Sequence, residues 1–169
     1  MSTAYSIRVY KQYFNFASSH FMLFRDGSRE PLHGHNYRVQ IKGNAPEAEN
    51  LNNDMVFDFL DIKPIVREVC DSLDHKLLIP KNNPFITIEE NGKNIILKTQ
   101  DESVFSIPMS DVLILPIENT SAERLAAYIA HQISEKVLSK YNFEFKELEI
   151  EVEETPGQSA VFVLSKGLV

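Results

Sequence analysis

Two stretches of this chain repeat apolar residues at helical spacing, and both are bracketed by runs that alternate at the period of a strand. This constrains the fold more than any other feature of the 169 residues, because a helical stripe and a strand alternation each leave one apolar face that must be covered. Ile62, Ile65, Val66, Val69, Cys70 and Leu73 form the first stripe. Leu125, Ile129, Ile133 and Val137 form the second, opened by Thr120-Ser121-Ala122-Glu123 at capping-box spacing. Ahead of the first, Ser6 to Phe16 predicts a strand ending near Ala17, and Asn36 to Lys42 alternates with Tyr37, Val39 and Ile41 on one face. After the second, Leu148, Ile150 and Val152 alternate with glutamates, Pro156-Gly157 turns the chain, and Ala160 to Leu164 makes a last strand. Between the stripes, Phe85 to Pro108 predicts a small β excursion with turns at Asn91-Gly92 and Asp101-Glu102-Ser103. The order is β-β-α-(β insert)-α-β-β, an α+β fold in one domain over residues 1–169, with the insert spanning about 79–116.

Composition narrows the function. Seventeen Lys and Arg against 24 Asp and Glu give a net charge of −7, which disfavours nucleic acid and anionic membrane surfaces as partners. No apolar run is long enough to span a membrane, and the first twenty residues do not read as a secretory leader. The single cysteine, Cys70, excludes an intramolecular disulfide and a cysteine metal cluster, so the expected compartment is the cytoplasm.

The chemistry gathers at the histidines. Of five in the chain, His20, His33 and His35 fall at the end of the first strand and the start of the second. In a strand, positions i and i+2 share a face, so His33-Gly34-His35 presents two imidazoles side by side, and a paired first strand can bring His20 alongside. Three neutral imidazoles with an open position suit a catalytic Zn²⁺. On spacing alone, an ordinary surface His-x-His is the favoured reading.

Six segments taken in order resemble one family. They are Phe16-Ala17-Ser18-Ser19-His20, Leu32-His33-Gly34-His35-Asn36-Tyr37, Met55-Val56-Phe57-Asp58-Phe59, Leu73-Asp74-His75, Ser121-Ala122-Glu123 and Glu154-Thr155. Together they resemble the 6-pyruvoyl tetrahydropterin synthase and 6-carboxytetrahydropterin synthase group, with the insert as the main departure. The resemblance implies a tunnelling fold: an antiparallel four-stranded sheet, two helices on one face, and a homo-oligomer, trimer or hexamer. It implies His20, His33 and His35 as zinc ligands, Asp74 and His75 as an acid–base pair, Glu154 as the anchor of the pterin ring, and Ser121, Ala122 and Glu123 as a further ring-binding segment. Without the family, Leu-Asp-His would read as a helix end, and Glu154 as one more strand carboxylate whose place before Thr155-Pro156 breaks the alternation.

One departure concerns the base. The family's synthases carry a cysteine a few residues before the His-Gly-His element, and Gly27 to Leu32 contains none. Cys70 cannot stand in, because helix phase buries it. Glu30, three residues before His33, resembles a subgroup known from malaria parasites and scattered bacteria, in which glutamate replaces the cysteine. That subgroup's activity implies a zinc lyase that cleaves the side chain of 7,8-dihydroneopterin triphosphate to 6-hydroxymethyl-7,8-dihydropterin, for folate synthesis. Alternatives are elimination to 6-pyruvoyl tetrahydropterin, formation of the 6-carboxy product of queuosine synthesis, an inactive pterin- or metal-binding protein, and a zinc hydrolase of unrelated substrate.

Overall fold

A computed structural model of the chain describes residues 5–45, 51 and 53–166. In chain order the elements are β1 (Ser6–His20), β2 (His33–Asn44), α1 (Phe59–Leu73), β3 (Lys76–Pro80), β4 (Ile86–Asn91), β5 (Asn94–Thr99), β6 (Val104–Pro108), β7 (Val112–Leu115), α2 (Ala122–Tyr141), β8 (Glu147–Thr155) and β9 (Gln158–Ser165).

The main sheet runs β7-β3-β1-β2-β8-β9. Its antiparallel part, β1-β2-β8-β9, is the four-stranded sheet that the resemblance implies. The sheet nonetheless has six strands, since β3 pairs parallel to β1 and β7 parallel to β3. The reason is the run Lys76-Leu77-Leu78-Ile79-Pro80, buried from Leu77 onward. A strand covered on both faces shows no alternation, so period-two patterning misses it. The ends of the expected insert are therefore strands of the main sheet, and only β4-β5-β6 forms a separate small sheet.

β1 also runs past Ala17. The inward phase Phe14, Phe16, Ser18, His20 stays buried throughout, but its last two members are polar, which hides the strand from a hydrophobic reading. The inward residues of β1, β2 and β8 form one core with both helices, so α1 and α2 cover the same sheet face. Every residue of both predicted stripes is buried, and full burial of each large aliphatic side chain contributes about 1.5–3 kcal/mol. Asp58 caps α1 by accepting from the Leu60 amide. The cap of α2 is Ser121, which accepts from the Arg124 amide, and the predicted box from Thr120 to Glu123 does not form. Thr120 is buried instead, its hydroxyl donating to the Phe21 carbonyl inside the protein.

A second core joins Phe21, Leu23, Leu77, Ile79, Ile95 and Leu97, with Phe105 and Ile107 packed against it. Leu78 belongs to the first core while Leu77 and Ile79 belong to the second. β3 is thus the wall between them, and the small sheet packs on its far side, beside the loop that joins β1 to β2.

Candidate metal centre and its surroundings

Register brings the histidines together. His20 lies directly opposite His33, and Ser18 opposite His35. The ring centroids stand 4.6 Å (His20–His33), 5.2 Å (His20–His35) and 4.7 Å (His33–His35) apart. The space at Gly34, between the two β2 imidazoles, is tight: an added Cβ would meet the Ser18 carbonyl oxygen at 3.0 Å. β8 supplies a fourth member. Glu154 continues the inward phase of Leu148, Ile150 and Val152, so it extends the alternation that the sequence reading took it to break. Its Oε1 lies 3.3 Å from His20 Nε2 and 3.0 Å from His35 Nε2. His20, His33, His35 and Glu154 each offer one ligand atom, all within 4.8 Å of one another.

The hydrogen bonds aim these groups. His20 Nδ1 lies 2.9 Å from the Thr120 carbonyl oxygen, and since a carbonyl only accepts, Nδ1 carries the proton and Nε2 presents a lone pair. Burial holds the His20 pKa below its ordinary value despite the Thr120 carbonyl and Glu154, which pull the other way, so the neutral form is favoured. His33 Nδ1 is likewise turned to the Pro31 carbonyl at 2.8 Å. His20 Nε2 and His35 Nε2 are buried without an aligned hydrogen-bond partner, although Glu154 Oε1 approaches both closely. Buried, unpaired nitrogen lone pairs converging on one point are the donor set a cation such as Zn²⁺ fits.

Glu30 stands at the rim. Its Oε2 lies 4.0 Å from His33 Nδ1 and accepts from the Met22 amide at 3.3 Å. Asp74 and His75 follow α1. Asp74 Oδ2 lies 2.7 Å from His75 Nδ1, and His75 adopts φ of 57°, a left-handed turn that His tolerates better than most residues. The His75 imidazole is exposed and lines a cleft of about 570 Å³ together with His35, Ser18, Ser19 and Lys76. A second cleft of about 370 Å³ is lined by His35, Glu153 and Glu154. His35 therefore belongs to both.

Ser121, Ala122 and Glu123 line neither cleft. Their link to the cluster runs through Thr120, which the sequence reading assigned only to a cap. Tyr37 was also missed. Its buried hydroxyl has no aligned partner, and its ring meets His35 and His20 edge-on at 5.5 and 6.0 Å. Burial and the facing Glu154 carboxylate hold that phenol far above its ordinary pKa. It sits two residues past His35 on the same strand face, a spacing the sequence displays. Cys70 is fully buried, and desolvation pushes its thiol up to about 12.

A profile of the 6-pyruvoyl tetrahydropterin synthase family matches residues 8–164. The chain belongs to this family. A Methanocaldococcus jannaschii protein, provisionally named a 6-carboxy-5,6,7,8-tetrahydropterin synthase, is 36% identical over 147 residues, covering 87% of this chain and 88% of its own. The 6-carboxy-5,6,7,8-tetrahydropterin synthase of Haemophilus influenzae is 28% identical over 128 residues, 71% of this chain and 77% of its own. Among solved structures, the 6-pyruvoyl tetrahydropterin synthase of Plasmodium vivax superposes with a TM-score of 0.88 at 31% identity, covering 97% of this chain and 99% of its own. That protein was also solved with a glutamate, described as its catalytic residue, replaced by alanine and by cysteine. Members of the family are tetrahydropterin synthases, which are lyases, so this chain is a pterin-related lyase with a His/Glu cluster able to hold a metal ion.

Proposed function

We propose that the protein is a zinc-dependent lyase acting on 7,8-dihydroneopterin triphosphate, with Glu30 as its general base. The observation that carries this reading is the position of the Glu30 carboxylate, 4.0 Å from His33 Nδ1 on a loop without a thiol, while the chain's single thiol is sealed inside α1. His20, His33 and His35 would hold the ion. When bound, zinc supplies Lewis-acid polarisation of the substrate's side-chain oxygens. Glu30 then takes the proton released from the side chain. His75 hands a proton on from the neighbouring cleft, with Asp74 fixing its tautomer through Nδ1. Glu154 offers acceptor oxygens to the adjacent N–H donors of the 2-amino-4-oxo ring, and its contact with His20 and His35 sets that ring beside the ion.

Two products fit this machinery. The names of the curated relatives support 6-carboxy-5,6,7,8-tetrahydropterin more directly than any other product. Glu30, a carboxylate on a loop without a thiol, resembles the glutamate described as catalytic in the Plasmodium vivax protein, and on that resemblance we place cleavage to 6-hydroxymethyl-7,8-dihydropterin first. Assembly as a trimer or hexamer in a reducing cytoplasm belongs to the same proposal; the sheet ends at β9, which leaves Val161 and Val163 exposed along an open edge.

The test is chromatography of the product formed from 7,8-dihydroneopterin triphosphate by the zinc-loaded protein, with and without chelator. Chelator-sensitive 6-hydroxymethyldihydropterin is the expected result. A 6-carboxy product would replace the cleavage reading with the one the relatives' names carry, and no turnover of any kind would leave only a pterin- or metal-binding protein.

A further inference from the structure

The loop that carries Glu30 is tied to the small sheet by one side chain. Arg29 Nη1 donates to the Glu30 carbonyl at 2.7 Å, and Nη2 donates to Ser103 Oγ at 3.2 Å. Its Nε lies 3.3 Å from Asp101 Oδ2 as an ion pair. The guanidinium also stands 5.1 Å from the centre of the Phe105 ring and 5.6 Å from that of Phe21, two rings stacked on each other at 5.3 Å. Three of these partners, Asp101, Ser103 and Phe105, come from the β5–β6 turn and the start of β6. Asp101 is itself fixed, because it accepts from the Ser103 amide and from the hydroxyls of Ser103 and Thr99.

The same loop touches the turn a second time. Gly27 has φ of 83°, and a Cβ added there would meet the Gln100 side chain at 2.4 Å. On its other side the Glu30 amide donates to the Met22 carbonyl at 2.9 Å. The backbone of Glu30 is thus held by β1's continuation through its N–H and by Arg29 through its C=O. A planar fork with five donors suits this task, and a lysine ammonium could not span the same partners.

We propose that Arg29 is a positioning residue and that the β4-β5-β6 sheet, acting through it, sets where the Glu30 carboxylate stands relative to the three imidazoles; this rests on the reading of Glu30 as the base. The small sheet is then part of the catalytic apparatus although it supplies none of the four clustered side chains. A displacement of about 1 Å in a reacting group costs up to about a hundredfold in rate, which gives a rigid mount its value. Placement of the base relative to the substrate side chain also decides which bond breaks, so the mount bears on product choice.

The experiment compares Arg29→Met, Arg29→Lys, the pair Asp101→Asn with Ser103→Ala, and Glu30→Gln, all zinc-loaded. The double variant keeps the guanidinium, the rings and the base, and so reports on anchoring even where Arg29→Met fails to fold. The expected result is unchanged zinc content, kcat lowered about 10- to 100-fold with a smaller change in KM, and a shifted pH profile. Product should also become more mixed, with Arg29→Lys falling between wild type and Arg29→Met. Wild-type kcat, pH profile and product ratio in the double variant, alongside an inactive Glu30→Gln, would overturn the inference and leave the base reading standing. An active Glu30→Gln would overturn both.

Discussion

Ala17 is held at two points, by Asp74 and by the residue that follows it. Asp74 Oδ1 accepts the Ala17 amide at 2.7 Å, and the residue after Asp74 returns the bond, His75 N–H donating to the Ala17 carbonyl at 2.7 Å. The clasp pins the end of α1 to β1 beside the metal cluster, and it leaves Oδ2 free for the His75 imidazole. One carboxylate therefore carries a structural bond on one oxygen and, on the proposed reading, the catalytic one on the other. The two can be separated: Asp74→Ala strands the Ala17 amide and should cost about 1–3 kcal/mol in denaturant unfolding. Asp74→Asn, with its amide oxygen toward Ala17, should keep most of that stability. Its amide nitrogen then faces His75 Nδ1 as a donor and forces the wrong tautomer, so turnover should fall by about 10²–10⁴-fold. Equal stability losses in the two variants would contradict the division of labour.

If His20, His33 and His35 hold the ion, elemental analysis should find about one zinc per chain, and His33→Ala should lose it. The ion binds only the folded site, so at a hundredfold excess over Kd it should stabilise by about 2.7 kcal/mol, visible as a fall in Tm on chelation. Zinc content undiminished in His33→Ala would remove the site.

The chelated protein should also weaken as it is acidified. His20 is held below its usual 6.5 by burial, so between its folded value and 6.5 the unfolded chain binds more protons. Stability from this group is accordingly complete above about 6.5 and is lost as pH falls below it. Tm of chelated protein should be level from pH 8 to 7 and fall from pH 6.5 downward, and His20→Asn should flatten that fall. Asp74 acts in a lower window. Partial desolvation of its carboxylate is outweighed by the Ala17 amide and His75, so its pKa lies below 3.8, and its contribution disappears only as pH falls through that lower value.

How much of this was legible depended on how each face is covered. Helix stripes and half-covered strands leave a periodic signature, and Leu125, Ile129, Ile133 and Val137 all proved buried. β3 leaves none, because Leu77 and Leu78 serve different cores. The clustering of the histidines was readable because His33 and His35 share a strand face and His20 closes the partner strand, whereas their role as ligands came from the resemblance. Glu154 was read by resemblance, although its inward phase after Val152 carries the same information. Thr120 and the Arg29 mount were not readable, because each depends on segments far apart in the chain, Thr120 with Phe21 and Arg29 with Ser103.

Cys70 offers a check on the absence of a thiol base. A fully buried thiol pushed up to about 12 has almost no thiolate at neutral pH. Native protein should resist disulfide exchange with an aromatic disulfide reagent, react with one equivalent after unfolding, and keep full turnover after iodoacetamide treatment. Inactivation of the folded enzyme by alkylation would return a cysteine to the mechanism.

Glu30 is where the reading is most exposed. Glu30→Gln keeps the volume and the acceptor oxygen for the Met22 amide, and it removes the proposed proton acceptor. Turnover should therefore fall by about 10²–10⁴-fold with zinc content and Tm unchanged. Glu30→Asp retains the carboxylate but draws it back by one methylene from the His33 side of the rim, so it should retain part of the rate and follow the wild-type pH profile. Glu30→Cys places a thiol on the same backbone, also shorter in reach than the native side chain. The proton it takes then comes from a different position on the side chain, and product should shift from 6-hydroxymethyldihydropterin toward the 6-pyruvoyl compound. Retention of the wild-type rate in Glu30→Gln would instead make His75, across the cleft it shares with His35, the better candidate for the base.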